Sequence, residues 1–128
     1  MPQQHSGDAE ETEFAEEEIA GPPVEGTPEG EVVRVRIPRG NQVLGLCERR
    51  LGGSRMKVIC LDGKTRVCRI PGRLKRHLWV REGDTLLIQP WEFTGDEKGD
   101  VIYKYRPLQV LQLKKMGLLK GLEDMQEL

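Results

Sequence analysis

At 128 residues the chain has room for one small domain, and none of its apolar runs approaches the ~18 residues of a membrane span. Residues 1–31 contain neither a basic n-region nor an apolar h-region, which excludes a secretory signal and leaves the cytoplasm as the expected compartment. The formal net charge of -1 hides a division: residues 1–31 hold 10 acids and no Lys or Arg, leaving 20 basic and 11 acidic residues, or +9, in 32–128. Between Arg34 and Arg81, 14 basic residues are set against only Glu48 and Asp62. A surface that merely keeps a domain soluble mixes both signs, so this asymmetry points to a polyanionic partner.

In chain order, residues 1–31 are rich in Glu, Gly, Pro and Thr, with Phe14 the one aromatic. Such a segment buries too little apolar surface to offset its ordering entropy, and it reads as a disordered acidic tail. From Val32 the pattern turns β-like. Val32 to Ile37 alternates until Pro38 stops it, and Arg39-Gly40-Asn41 reads as a turn. Val43 to Arg50 is the first long strand, Arg55 to Leu61 the second and Thr65 to Ile70 the third, the last two joined by Asp62-Gly63, a strong hairpin signal. Pro71-Gly72 breaks the sheet, and Arg73 to Arg81 loses period-2 alternation, with one helical turn expected near Leu74–His77. Thr85 to Gln89 is the fourth strand, bent at Pro90. Asp100 to Arg106 is the fifth, with Val101, Tyr103 and Tyr105 expected on one face. Pro107 suits a first helical position, Leu108, Val110, Leu111 and Leu113 give an apolar side, and Gly117 ends the helix. Residues 118–128 form a second short helix or fray.

Three strands in a meander, a helical insert and a two-stranded hairpin give an all-β fold: a five-stranded OB-fold barrel, with an SH3-like barrel as the rival from pattern alone. The expected organisation is an acidic tail over 1–31, an RNA-binding barrel over 32–106 and a C-terminal helical extension over 107–128. Cys47, Cys60 and Cys68 are an odd number without C-x-x-C spacing, each inside an apolar or alternating run. They read as small core hydrophobes, not as zinc ligands.

The basic residues expected to contact RNA are Arg55, Lys57, Lys64, Arg66, Arg69, Arg73, Lys75 and Arg76, with Arg81 nearby. If Met56, Val58 and Cys60 face the core, Arg55 and Lys57 face out; if Cys68 and Ile70 point in, Arg69 points out. Trp91 and Phe93 are the candidates for base stacking, with packing at the barrel mouth as the alternative, whereas Trp79 and Tyr103 read as core or core-edge residues. So few aromatics argue for docking on folded RNA through phosphates over reading a single strand. There is no phosphate-binding glycine loop, no Ser/His/Asp constellation around Ser6 or Ser54 and no pair of acids suited to acid–base work, so neither catalysis nor a cofactor is expected.

Three segments together resemble initiation factor 1A, the archaeal and eukaryotic relative of bacterial initiation factor one. They are the run from Met56 through Asp62-Gly63-Lys64 and Ile70-Pro71-Gly72-Arg73-Leu74-Lys75-Arg76, then Trp79-Val80 with Gly83-Asp84, and the late Asp100-Val101-Ile102-Tyr103-Lys104-Tyr105. The resemblance covers about residues 31–117. It implies an OB-fold, non-enzymatic, monomeric factor that binds the small ribosomal subunit RNA near the decoding A site. There it would promote initiator Met-tRNA binding and subunit dissociation beside a GTPase similar to bacterial initiation factor two. By motif position, Lys64, Arg66, Arg69, Arg73, Lys75 and Arg76 would face the RNA. The acidic residues 1–31 depart from the basic tail of eukaryotic relatives, and Glu123 to Leu128 only faintly echo their acidic C-terminal tail. The competing readings are a general single-stranded-RNA chaperone of the OB or cold-shock type and a protein adaptor with a basic face.

Overall fold

The computed structural model describes residues 18–121. Among the described residues there are seven strands: β1 (Glu18–Ala20), β2 (Arg34–Arg36), β3 (Val43–Gly52), β4 (Arg55–Cys60), β5 (Thr65–Arg69), β6 (Thr85–Pro90) and β7 (Lys98–Lys104). Helix α1 (Pro107–Lys115) follows β7. The five long strands close into a barrel in the order β3-β4-β5-β7-β6, with β5 and β7 parallel and the other pairs antiparallel. This is the five-stranded OB arrangement expected from the sequence, and each barrel strand falls on a run read as a strand there.

Alternation explains the interior. Met56, Val58 and Cys60 on β4 are buried while Arg55, Lys57 and Ile59 face outward; on β5, Cys68 is buried between exposed Val67 and Arg69. With Cys47, Leu86, Ile88 and Val101 they form the inner core, closed at one end by Ile70, Leu74, Leu78 and Val80. All three thiols lie in it, and burial pushes Cys47 up to about 11 and Cys68 to about 12. Gly45 faces the same interior, and a Cβ there would stand 2.5 Å from Val58 Cγ1.

A second core lies outside the barrel wall. Leu44 and Leu87, of opposite parity to the inner residues, pack with Val35, Tyr105, Leu113 and Leu119. The expectation that Val101, Tyr103 and Tyr105 share one face is corrected here. A register shift opposite Leu87/Ile88 leaves Val101 inside the barrel and turns Tyr103 and Tyr105 to the outer layer. The expected apolar stripe of α1 is also altered, because Leu111 is exposed and the fully buried positions are Gln109, Gln112 and Leu113. The side-chain amide nitrogens of both glutamines donate to the N-terminal ribbon, while Gln112 Oε1 is buried with no hydrogen-bond partner among the described residues. Gln109 Nε2 donates to the Arg34 carbonyl (3.1 Å) and the Tyr103 hydroxyl (2.8 Å), and Gln112 Nε2 to the Val33 carbonyl (2.9 Å).

Those bonds also move the boundary of the acidic tail. Residues 1–17 lie outside the described residues, but residues 18–31 do not trail away. Glu18–Ala20 pairs antiparallel with Arg34–Arg36, the Gly21 amide donates to the Val33 carbonyl, and Lys115 Nζ reaches the Pro23 carbonyl at 2.8 Å. Ile19 packs on the outer core. The ordering cost of this Gly- and Pro-containing stretch is offset by contacts contributed by α1, far along the chain, which local composition does not report. At the other end, Gly117 (φ 78) terminates α1, with Leu118 N donating to the Leu113 carbonyl. The acidic–apolar residues 122–128 lie outside the described residues.

Candidate nucleic-acid interface

Strand direction sorts the loops to two ends of the barrel. The β3–β4 hairpin and the insert between β5 and β6 share one end, while the β4–β5 turn and the β6–β7 loop share the other.

The first end is basic. The hairpin turns through Gly52, Gly53 and Ser54, all at positive φ, and carries Arg49, Arg50 and Arg55, all exposed. The insert begins with a 3-10 turn at Gly72–Leu74, whose Leu74, with Leu78 and Val80 beyond it, plugs the barrel. That leaves Arg73, Lys75, Arg76 and Arg81 exposed. Arg55, Arg73, Lys75 and Arg76 have no side-chain hydrogen bond or ion pair among the described residues. Between hairpin and insert runs a groove of about 480 Å³ lined by Arg50, Arg55, Lys75 and Trp79.

Trp79, read from the sequence as a core or core-edge residue, lies on the surface. It is 66% exposed rather than core. Its carbonyl accepts from Lys104 Nζ at 2.7 Å, and that ammonium also pairs with Asp84 at 3.4 Å. Asp84 in turn takes the Arg81 amide at 2.7 Å. The backbone is therefore held while the indole stands free. The signal was present: Leu78 and Val80 face the core, so the residue between them points away.

The middle of the sheet is already occupied by its own charges. Lys57 pairs with Glu48 at 3.6 Å. Arg69 donates to Asp100 at 3.2 Å and lies over the Trp91 ring, 4.9 Å from its centroid. The Trp91 indole N–H donates to the same carboxylate oxygen at 2.9 Å, and Lys98 approaches the ring at 5.5 Å. Trp91, one of the two expected stacking residues, is thus half-buried and covered by cations of its own chain.

The second end is acidic. Arg66, expected to face RNA, is corrected: its side chain is 3% exposed. It shares the parity of Cys68, so the alternation that puts the thiol inside puts the guanidinium inside as well. It forms a two-point pair with Asp62 (3.1 and 2.8 Å) and donates Nε–H to the Gly95 carbonyl. The hydrogen bond from Arg66 holds the Asp62 carboxyl below its ordinary range. Lys64 is exposed but paired with Asp96 at 2.6 Å. Phe93, the other expected stacking residue, is 79% exposed at the tip of this acidic loop.

Of the eight cations expected at the interface, the structure gathers Arg55, Arg73, Lys75 and Arg76 at one end with partner-free side chains. Lys57 and Arg69 lie on the sheet, each paired with an acid, and Lys64 and Arg66 are at the opposite end. Among the described residues no three His, Cys, Asp or Glu side chains gather as metal ligands, and no helix is long and apolar enough to cross a membrane.

Comparison with known proteins adds a consistent set of relatives. A family model described as translation initiation factor 1A / IF-1 matches residues 29–126. A translation initiation factor 1A from Methanococcus aeolicus is 52% identical over 93 residues, covering 71% of this chain and 89% of that protein. Another, from Pyrococcus abyssi, is 48% identical over 87 residues, covering 68% and 77%. A solution structure of the bacterial-type translation initiation factor one from the Wolbachia endosymbiont of Brugia malayi shares 19% identity over 52% of this chain and 78% of that one, with a TM-score of 0.42.

Proposed function

The chain belongs to the translation initiation factor 1A / IF-1 family, and from that premise we propose that it binds the small ribosomal subunit near the decoding A site. There it promotes initiator Met-tRNA binding and subunit dissociation, beside an initiation-factor-two-like GTPase. It works in the cytoplasm as a monomeric binding factor without catalysis. The observation that carries this reading is the basic end of the barrel. Arg55, Arg73, Lys75 and Arg76 are carried on the β3–β4 hairpin and a plugged insert without internal partners, so their donors are available to phosphate oxygens. Phosphate contacts of this kind fix position and orientation on a folded RNA without reading sequence. The Trp79 indole, projecting beside them, supplies one flat surface for an unstacked base.

The test is binding to purified small subunits across a salt series, against an excess of unstructured RNA. The wild type is compared with a variant carrying Arg73→Ala, Lys75→Ala and Arg76→Ala together. Saturable binding that survives competitor and is lost in the triple variant is the expected result. Free displacement by competitor RNA would favour the second reading, a general single-stranded-RNA chaperone, for which the open Trp79 ring is the one supporting observation. In that case Trp79→Ala abolishes binding to short unstructured RNA and the triple variant merely weakens it.

A further inference from the structure

The tryptophan at the basic end is aimed by residues from elsewhere in the chain. Residues 75–84 run from the 3-10 turn to β6 without helix or strand. Leu78 and Val80, on either side of Trp79, are seated on the inner core, which fixes where the segment lies. It does not fix how the peptide planes between them turn, since each residue keeps two soft backbone dihedrals. The Trp79 carbonyl supplies that constraint. It accepts from Lys104 Nζ at 2.7 Å, across 25 residues of sequence, and holding it sets the plane from which the indole projects.

Lys104 is itself held. Asp84 Oδ2 lies 3.4 Å from the same ammonium and accepts from the Arg81 amide at 2.7 Å. The Asp84 amide donates back to the Arg81 carbonyl at 3.1 Å, which closes the turn. The turn is tied to β3: the Cys47 amide donates to the Asp84 carbonyl at 2.9 Å, and the Gly83 amide to the Cys47 carbonyl at 2.8 Å. The carboxylate is thus fixed to the barrel wall, the ammonium to the carboxylate, and the Trp79 carbonyl to the ammonium. An ordinary surface ion pair joins two side chains and adds little. This one ends on a backbone carbonyl beneath an exposed indole. Lys104 and Asp84 are half-buried and engage each other, whereas the Arg81 side chain beside them is exposed and partner-free among the described residues. We infer that Lys104 and Asp84 are positioning residues for RNA binding: they hold the Trp79 ring in the attitude in which a base stacks on it, and neither touches the RNA. This inference rests on the reading of Trp79 as a surface for an unstacked base. A ring held in place beforehand loses less freedom on binding than one the RNA must arrest.

The experiment uses the full chain with Trp91→Phe, so that Trp79 is its one tryptophan, and compares Lys104→Met, Trp79→Ala and the two together. In the free protein, Lys104→Met is expected to lower the fluorescence anisotropy of Trp79, the sign of a ring released to wobble. In co-sedimentation with purified small subunits, Trp79→Ala is expected to weaken binding about tenfold, the order of one stacked base. Lys104→Met should weaken it about fivefold, the order of one side chain's ordering cost. The slope of log affinity against log salt should stay as it is, because no phosphate contact is lost. The double variant should bind no more weakly than Trp79→Ala alone, since a residue that acts through the ring has nothing left to act on. Losses that add in the double variant, or a salt slope that falls by about 1 in Lys104→Met, would mean that Lys104 meets phosphate itself, and would overturn the inference. So would an anisotropy or an affinity that Lys104→Met leaves unchanged. Asp84→Asn should repeat the Lys104→Met pattern at smaller amplitude, and a variant indistinguishable from its parent overturns the part assigned to Asp84. If Trp79→Ala alone leaves subunit binding unaltered, the stacking role fails and this inference with it, while the Arg73, Lys75 and Arg76 variant still decides the functional reading.

Discussion

The two ends of the barrel are assembled from the same kinds of part: a β-turn, a loop that faces it and one exposed aromatic ring. They differ in where their cations go. At the hairpin-and-insert end Arg55, Arg73, Lys75 and Arg76 point into solvent and the barrel is sealed by apolar residues, Leu74, Leu78 and Val80. At the opposite end Arg66 is drawn inside and used to fasten the β4–β5 turn to the β6–β7 loop, while the carboxylates stay out. Identical side-chain types are therefore left without internal partners at one end and used for construction at the other, and position in the fold decides which.

The largest effect is expected from separating these roles at Arg66. Arg66→Met leaves the Gly95 carbonyl without its donor and Asp62 with only the Lys64 amide, and should lower the unfolding free energy by about 2 kcal/mol, read by urea denaturation. RNA affinity at the other end should stay near wild type wherever the variant is folded. The Arg73, Lys75 and Arg76 triple alanine variant should behave in the opposite way. Its stability should change by less than about 0.5 kcal/mol, while the slope of log affinity against log salt falls by about 2 as phosphate contacts are lost. Equal losses of stability and affinity in either variant would erase the distinction between the ends.

The two tryptophans sharpen it further. Trp79→Ala should weaken binding of a short single strand by about 1–2 kcal/mol, the order of one base stacked on one ring. Trp91→Ala should leave that binding alone and lower stability by about 1 kcal/mol, because Arg69 loses its ring contact and Asp100 a donor.

Acid should weaken the Asp62–Arg66 fastening. The Asp62 pKa is depressed in the fold, so its contribution to stability is present above its unfolded value, ~3.9, and is lost as pH falls through the folded value. Asp62→Asn should flatten that limb of the stability–pH curve. The smallest expected effect concerns residues 1–17, which carry six acids. If they screen the basic end, deleting them should raise affinity for random RNA a few-fold at low salt and not at high salt. Deleting through residue 30 is a poor version of this test, since it removes β1.

What the sequence made legible follows from the range of each signal. Period-2 alternation gave all five barrel strands, and Asp62-Gly63 gave their tightest turn, because these are local. Cys68 and Ile70 also fixed the parity of Arg66 and Arg69, although a charge count alone groups both with the surface. Trp79 was hidden for the reverse reason: a large aromatic reads as core until its neighbours Leu78 and Val80 are seen to take the inward positions. The register shift that separates Val101 from Tyr103 carries no mark in composition. The ordering of residues 18–31 was invisible because its bonding partners, Gln109, Gln112 and Lys115, are distant in sequence and two of them look like ordinary surface amides.

The outer layer joins residues from both extremes of the described chain, Ile19 and Leu119 among them. During synthesis β3 and β6, which carry Leu44 and Leu87, leave the ribosomal tunnel before α1, and domains close as their parts emerge. The apolar outer faces of Leu44 and Leu87 must therefore wait, uncovered, until α1 is released and the ribbon can be latched by its two glutamines. A product truncated before α1 would present that sticky wall to its neighbours.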